Sequence, residues 1–464
     1  MQKILHKYIG DKKFYKHTLA IAVPIMVQNG ITNFVSLLDN IMVGRIGTEQ
    51  MSGVSIVNQL IMIYYLCIFG GMAGAGIFTA QYYGENNDEG IRNTIRFKLL
   101  IGIILTVLAF AVFILFGDTL VRTYLTGNSD GGNILAALDS GIKYLKIMIW
   151  GLPPFMLLQV YTSSLRECNE TVAPMKAGII AVLVNLIFNY LLIYGKFGFP
   201  KLGVQGAAIA TVLSRYVEAF VVVCWAHMHK EKNPYIKGLY RKIFIPLGMF
   251  KKFTLKSLPL LTNEAMWSGG TAIIAQCYSV RGLSVVAGLN IANTVFNVFS
   301  IVFIALGNAI SIMVGQLLGA GKMEQARDTD NKLIAFSVIS CAFIGVILML
   351  VSPLFPELYN TTKQAKLVAE HFLIAQAIFM PQLAFVHATY FTLRSGGKTI
   401  ITFVFDSVYM WVISVPTAFI LSRYTSISAV YIYVLVQMAD WIKCILGFIL
   451  VKKGVWIKNI IKNE

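Results

Sequence analysis

Charge is what this sequence has least of. Asp, Glu, Lys and Arg make up 13% of its 464 residues, about half of the roughly 25% found in soluble domains. A water-facing surface cannot be covered with so little, and a soluble globular chain is excluded. Acidic residues are the scarcer sign, 22 against 39 basic ones, for a formal net charge of +17. The bases lie in connecting segments rather than in one folded patch, so the excess reads as membrane topology and not as nucleic-acid binding. Cysteine is sparse too: Cys67, Cys168, Cys224, Cys277, Cys341 and Cys444 are scattered, with neither zinc-site spacing nor a disulfide framework. No His-Glu zinc motif, nucleophile elbow or phosphate-binding loop occurs. Neither an enzyme nor a nucleotide-driven machine is expected.

Apolar sequence is abundant instead, at 57% of the chain. Apolar runs of about 20 residues, each enough to cross a bilayer, recur from end to end. Twelve spans are predicted, near 18–43, 52–82, 92–116, 134–166, 172–194, 204–228, 254–280, 284–318, 332–352, 364–393, 399–421 and 427–451. The expected class is an all-α polytopic membrane protein. The leader carries Lys3, Lys7, Lys12, Lys13 and Lys16, and the apolar stretch after it is too long for a signal-peptide core. The central connection carries Lys230, Lys232, Lys237, Arg241, Lys242, Lys251, Lys252 and Lys256, and the tail Lys452, Lys453, Lys458 and Lys462. Twelve spans put all three groups on one side, which the positive-inside rule makes cytoplasmic. A multi-pass protein of the cytoplasmic (inner) membrane with both termini cytoplasmic follows.

The chain also repeats itself. Setting Pro24 over Pro259, an offset of 235, puts Asn58 over Asn293, Gln81 over Gln316 and Gly84 over Gly319. Glu89, Arg92 and Thr94 then lie over Glu324, Arg327 and Thr329, while Leu165-Arg166 matches Leu393-Arg394 at 228. Two six-span copies in one orientation are parallel repeats about an axis along the membrane normal. The division expected is an N-terminal lobe, 1–228, a basic cytoplasmic linker, 229–253, and a C-terminal lobe, 254–464.

One stretch stands out from the apolar background. PIMVQNGITNFVSLLDNIMVGRIG, residues 24–47, carries Asp39 with Gln28, Asn29, Thr32, Asn33 and Asn40 nearby. A charge at the centre of a membrane helix costs about 2.5–3.5 kcal/mol on insertion scales, so such residues are kept mainly where they function. Pro24, and Pro259 in the second copy, each remove a helix hydrogen bond and are expected hinges.

Four stretches carry a family resemblance: LLDNIMVGRIG, YGKFGFPKLGVQGAAIAT, AISIMVGQLLGAGK and FTLRSGGKT. In this order and spacing the whole chain resembles the multidrug and toxic compound extrusion (MATE) transporters. The resemblance implies two six-helix lobes in a V shape, and export of organic cations or other amphiphiles against inward H⁺ or Na⁺. It places Asp39 on the acidic position of the first span, with Asn185, Asn189 and Thr211 on the polar positions around it, and Glu264 on the acidic position of span seven. Two departures stand out. The position of Asn189 is an aspartate in some members, so the site here would carry a charge of −1. The sodium-coupled branch has an aspartate in span ten near Leu383, where this chain offers only His387, one turn on, so a Glu264-only site is expected to suit a proton better than sodium.

The coupling ion stays open at this level. A carboxyl with an ordinary pKa near 4 remains ionised on both sides of a membrane, whereas desolvation favours its protonated form. Sodium, like other hard cations, wants several oxygens, and Asp39, Asn185, Asn189 and Thr211 offer four. No cofactor is expected beyond bound Na⁺ or H⁺, and no other metal. The expected partners are small organic cations or amphiphilic drugs and the lipid bilayer, with no nucleic acid and a monomeric state.

Gln28, Asn29, Asn290, Asn293, Asn297 and His387 are candidate cleft residues. Each polar residue has a plainer alternative: Asp39 and Glu264 as helix-end groups facing water, the asparagines as interhelical glue, His387 as a packed core histidine. Asp440 and Lys443, three apart, read as an ion pair along one helix face. A flippase for a lipid-linked precursor is the competing function, but it wants a strongly cationic cavity and intramembrane bases are few, chiefly Arg215 and Lys443. A non-transporting membrane sensor is the other.

Overall fold

The computed structural model describes residues 8–126, 134–241, 244–359 and 361–462. Lys3, Lys7, Lys242 and the side chain of Asn40 lie outside the described residues. Twelve helical spans follow one another, and no strand occurs among the described residues. They are α1 (Lys12–Gly44), α2 (Thr48–Glu85), α3 (Asp88–Thr126), α4 (Ile134–Met148 and Leu152–Glu167), α5 (Val172–Tyr194) and α6 (Val204–Met228). In the second half come α7 (Leu247–Ser279), α8 (Leu283–Gly319), α9 (Met323–Val351), α10 (Lys363–Ser395), α11 (Thr399–Tyr424) and α12 (Ala429–Lys453).

Ten of the twelve are long and apolar enough to cross a membrane by length and composition. The other two show why they fall short. In α4 a 3₁₀ turn, Ile149–Gly151, interrupts the helix just before Pro153 and Pro154, which have no N–H to continue the ladder and fit only a helix's first turn. The expected single span 134–166 is therefore two helices in series. The first half of α7 is loaded with Lys251, Lys252 and Lys256. Along α3, Ile114 and Leu115 are 66% and 71% exposed. For large apolar side chains in a span this apolar, that is a lipid-facing surface.

Span α11 is not a plain helix. It starts and ends α-helical but is π-helical over Val404–Val408 and Met410–Ser414. Such wide turns are uncommon and cluster at functional sites; here they carry Asp406. The helix is unbroken through both expected hinges. Pro24 and Pro259 stand twelve residues past the first residue of α1 and α7, each helix 33 residues long, so the repeat extends to helix length and proline position.

The described residues form two compact units. One comprises Val27–Thr79 and Asp88–Phe253; the other comprises Met1–Met26, Ala80–Asn87 and Thr254–Glu464, as far as they are described. In the second unit Ile310, Val314 and Leu318 of α8, Leu333 of α9 and Ala388 and Leu393 of α10 make a fully apolar core. The end of α2 meets the end of α8 there, backbone to backbone. A Cβ on Gly84 would stand 1.9 Å from the Gln316 carbonyl oxygen, and one on Gly319 would stand 1.9 Å from the Gln81 carbonyl oxygen. Only glycine allows that approach. Gln81 also fastens the tail, donating to Ser395 O (3.1 Å) and Lys458 O (3.2 Å) while its Oε1 accepts from Ile460 N (2.9 Å).

Candidate functional site

The site in the first unit is a chain of polar side chains on α1, α5 and α6. Asn185 and Asn189, four residues apart, share the inward face of α5 and are 3% and 1% exposed. Asn189 Nδ2 donates to Asp39 Oδ1 at 2.5 Å and to Asn185 Oδ1 at 3.0 Å; Asn185 Nδ2 in turn donates to Thr211 Oγ1 at 3.4 Å. The structure thus brings Asp39, Asn185, Asn189 and Thr211 together from three helices. Asn189 Oδ1 is buried with no hydrogen-bond partner, an expensive state for a carbonyl oxygen and one that a cation would relieve. The set holds one carboxylate, and no cluster of three or more His, Cys, Asp or Glu capable of holding a metal occurs among the described residues. Its single negative charge is balanced by one monovalent cation or one proton.

Asp39, Asn185 and Thr211 open on a cavity of about 370 Å³, whose wall also carries Tyr65, Tyr144, Arg215 and Glu218. Tyr65 stacks on Phe155 at 3.9 Å, with the Arg215 guanidinium 5.7 Å from the same Phe155 ring. Arg215 Nη1 pairs with Glu218 at 3.0 Å, one turn along α6, and Arg215 donates to the Tyr65 hydroxyl. Neither Glu218 nor Tyr65 was prominent as a site residue in the sequence, although Glu218 is an intramembrane acid by the same argument that singled out Asp39. Among the described residues Asp39 has no base at ion-pair distance. Gln28 is buried and accepts a short hydrogen bond from Arg166; Asn29 is half-buried one residue on.

The second unit places Glu264 half-buried on α7, accepting from the Tyr390 hydroxyl, with Arg394 and Asp406 within electrostatic reach. Two readings of the sequence need correction here. Glu264 does not stand as the only carboxylate: Asp406, on the π-helical part of α11, joins it. Asp406 accepts from Lys443 Nζ at 2.6 Å and from Asn263 Nδ2 at 3.1 Å, and Ser407 Oγ donates to Asn263 Oδ1 at 2.7 Å. Lys443 therefore pairs with Asp406 and not with Asp440. Its side chain is buried and turned inward, over the rings of Phe405 and Tyr409. Asp440, at the break in α12, accepts instead from Ser414 at 3.1 Å.

His387 contacts the Leu383 carbonyl through Nδ1 at 3.1 Å, packs on Phe303 and faces the Asp406–Lys443 pair. Asn290, Asn293 and Asn297 form an exposed face of α8, where Gln376 donates to Asn293 Oδ1. A further carboxylate, Asp330 of α9, is fully buried and accepts from Thr392 at 2.6 Å.

Twelve helical spans among the described residues, a doubled six-helix plan, and carboxylates held inside the spans by amide, hydroxyl and basic partners mark a polytopic helical membrane transporter. The MatE family model matches residues 24–191 and 260–420, and the chain belongs to that family, the MATE multidrug efflux transporters. The probable multidrug resistance protein NorM of Thermotoga maritima is 25% identical over 415 residues, covering 88% of this chain and 86% of that protein. MdtK of Yersinia enterocolitica, a multidrug resistance protein, is 25% identical over 419 residues, covering 90% and 89%. An outward-facing multidrug resistance MATE transporter of the MOP superfamily shares the fold, with TM-score 0.85, 20% identity and 96% of each chain covered.

Proposed function

We propose that this protein is a secondary antiporter that exports organic cations and related amphiphiles in exchange for H⁺ or Na⁺ by alternating access. It would sit in the cytoplasmic membrane with both termini inside, act as a monomer and catalyse no covalent chemistry. The observation that carries this reading is the hydrogen-bonded chain Asp39–Asn189–Asn185–Thr211 at the wall of a drug-sized cavity. A single carboxylate among amides holds one positive charge at a time. A proton, a sodium ion and a cationic drug then compete for it, and release of one on each side of the membrane gives exchange. The aromatic rings of Tyr65 and Tyr144 on the same wall suit an organic cation. Pro24 and Pro259 are the positions at which α1 and α7 would bend as the lobes alternate. A precursor flippase fits less well, because the guanidinium in this cavity is neutralised by Glu218.

The test is efflux of ethidium from proteoliposomes under separately imposed proton and sodium gradients, with Asp39→Asn and Glu264→Gln alongside. Gradient-driven efflux lost in Asp39→Asn supports coupling through the first unit. Loss only in Glu264→Gln moves the site to the second, and no gradient-driven flux of any cation rejects antiport.

A further inference from the structure

Four charged side chains in the first unit are linked pairwise, Arg166 with Glu218, Glu218 with Arg215 and Arg215 with Asp39, and Arg166 has Glu167 in electrostatic reach as well. Glu218 is bonded to Arg215 at 3.0 Å and lies within electrostatic reach of Arg166. Arg215 is bonded to Glu218 and lies within electrostatic reach of Asp39. Arg215, Glu218 and Asp39 share the wall of one cavity. The network is not saturated. Arg166 Nε and Arg215 Nε are both buried without a hydrogen-bond partner, so each arginine keeps a donor in reserve. Unused donors on both bases are what a network with two alternative pairings needs, since a shift of Arg215 from Glu218 to Asp39 leaves Glu218 to Arg166.

We propose that Arg215 is a tethered counter-cation for Asp39. It pairs with Glu218 while a proton, ion or drug neutralises Asp39, and turns to Asp39 once that cation has left. The assignment rests on the antiport reading above and adds a specific role to it. Exchange requires that a bound cation be displaced and that the empty carboxylate not be stranded in a low-dielectric site; one guanidinium shared between two acids meets both needs. A buried ion pair kept only for packing would meet neither, and it would respond differently to substitution.

The two partners of the pair should then act in opposite directions. Arg215→Gln removes the competitor, so ethidium binds Asp39 more tightly, on the order of 5-fold or more, the lower range of coupling between sites, while gradient-driven efflux slows. Glu218→Gln frees Arg215 to hold Asp39, so ethidium binding weakens by a similar factor. In the Asp39→Asn background both effects vanish.

The measurement is ethidium anisotropy with the purified full-length protein in detergent, monodispersity checked by gel filtration. If both variants shift affinity the same way, or neither shifts it, the inference is overturned. If the unsubstituted protein binds no ethidium, or binds it equally well as Asp39→Asn, the antiport reading fails first. Should Glu218→Gln not accumulate, Arg215→Lys decides: affinity returning toward that of the unsubstituted protein supports a charge that competes, and affinity equal to Arg215→Gln refutes it.

Discussion

Replacing Lys443 by Met would leave the buried Asp406 carboxylate, with Glu264 and His387 in electrostatic reach, without the ammonium that sits 2.6 Å from its Oδ1. Removing one partner of a buried pair costs about 3–5 kcal/mol, because the remaining charge is uncompensated. Asn263 still donates to Asp406 Oδ2 at 3.1 Å, which puts the expected loss at the lower end, about 3 kcal/mol. The ammonium also lies 5.2 Å from the Phe405 ring and 5.9 Å from Tyr409; Met keeps most of that packing and loses the cation–π share, about 0.5–1 kcal/mol each. Asp406→Leu alone should cost a similar amount by stranding Lys443. The double variant should be far milder than the sum of the two, since two apolar side chains of similar volume replace the pair. The assay is reversible unfolding in mixed micelles followed by tryptophan fluorescence, read as a double-mutant cycle. Additive losses, or a Lys443→Met loss below about 1 kcal/mol, would refute the pairing as an energetic unit.

Trp456, in the tail that follows α12, is 1% exposed; Trp456→Ala should cost about 3–5 kcal/mol, measured in the same unfolding assay. Burial, reinforced by the neighbouring Glu167 carboxylate, pushes the Cys168 thiol well above its ordinary pKa. Its thiolate fraction is therefore small at neutral pH and stays small as the pH rises toward 9. Mass spectrometry of maleimide-treated folded protein should find Cys168 unmodified at both values, with rapid labelling only after unfolding. Asn189→Asp gives the first unit's site a second carboxylate beside Asp39. Half-saturating Na⁺ in a binding titration should fall roughly tenfold or more, and a rise instead would show that Asn189 does not face the cation.

Much of this was legible in the sequence, and what escaped has a common cause. Apolar runs carry the twelve spans, because a bilayer tolerates little else, and the positions matched at an offset of 235 carry the doubled plan. Asp39, Asn185, Asn189 and Thr211 were legible from the cost of intramembrane polarity together with the family's motif positions. The partners of buried charges were not. Lys443 reads as the neighbour of Asp440 by helical spacing, yet its ammonium reaches Asp406, 37 residues away on another span. Which way a long side chain leaves a buried helix depends on the packing of all its neighbours. The π-helical turns of α11 have one local mark, Pro416, which follows Met410–Ser414 and has no N–H for the Val412 carbonyl, just as Pro153-Pro154 mark the break in α4.

The close approach at Gly84 and Gly319 says something about ancestry and not only about packing. Gln81 and Gln316, and likewise Gly84 and Gly319, are the same positions of the repeat, so residue i of one copy touches residue j of the other and j touches i. That reciprocity is the mark of an isologous contact, the kind a two-fold dimer makes with itself. A six-helix ancestor that paired with its own copy would have needed this glycine only once per gene, with every change there appearing twice at the axis. In the single chain the two copies carry different charges, Asp39 and Arg215 in one and Glu264 and Lys443 in the other, while the approach at Gly84 and Gly319 is the same backbone contact in both and leaves room for no side chain on either.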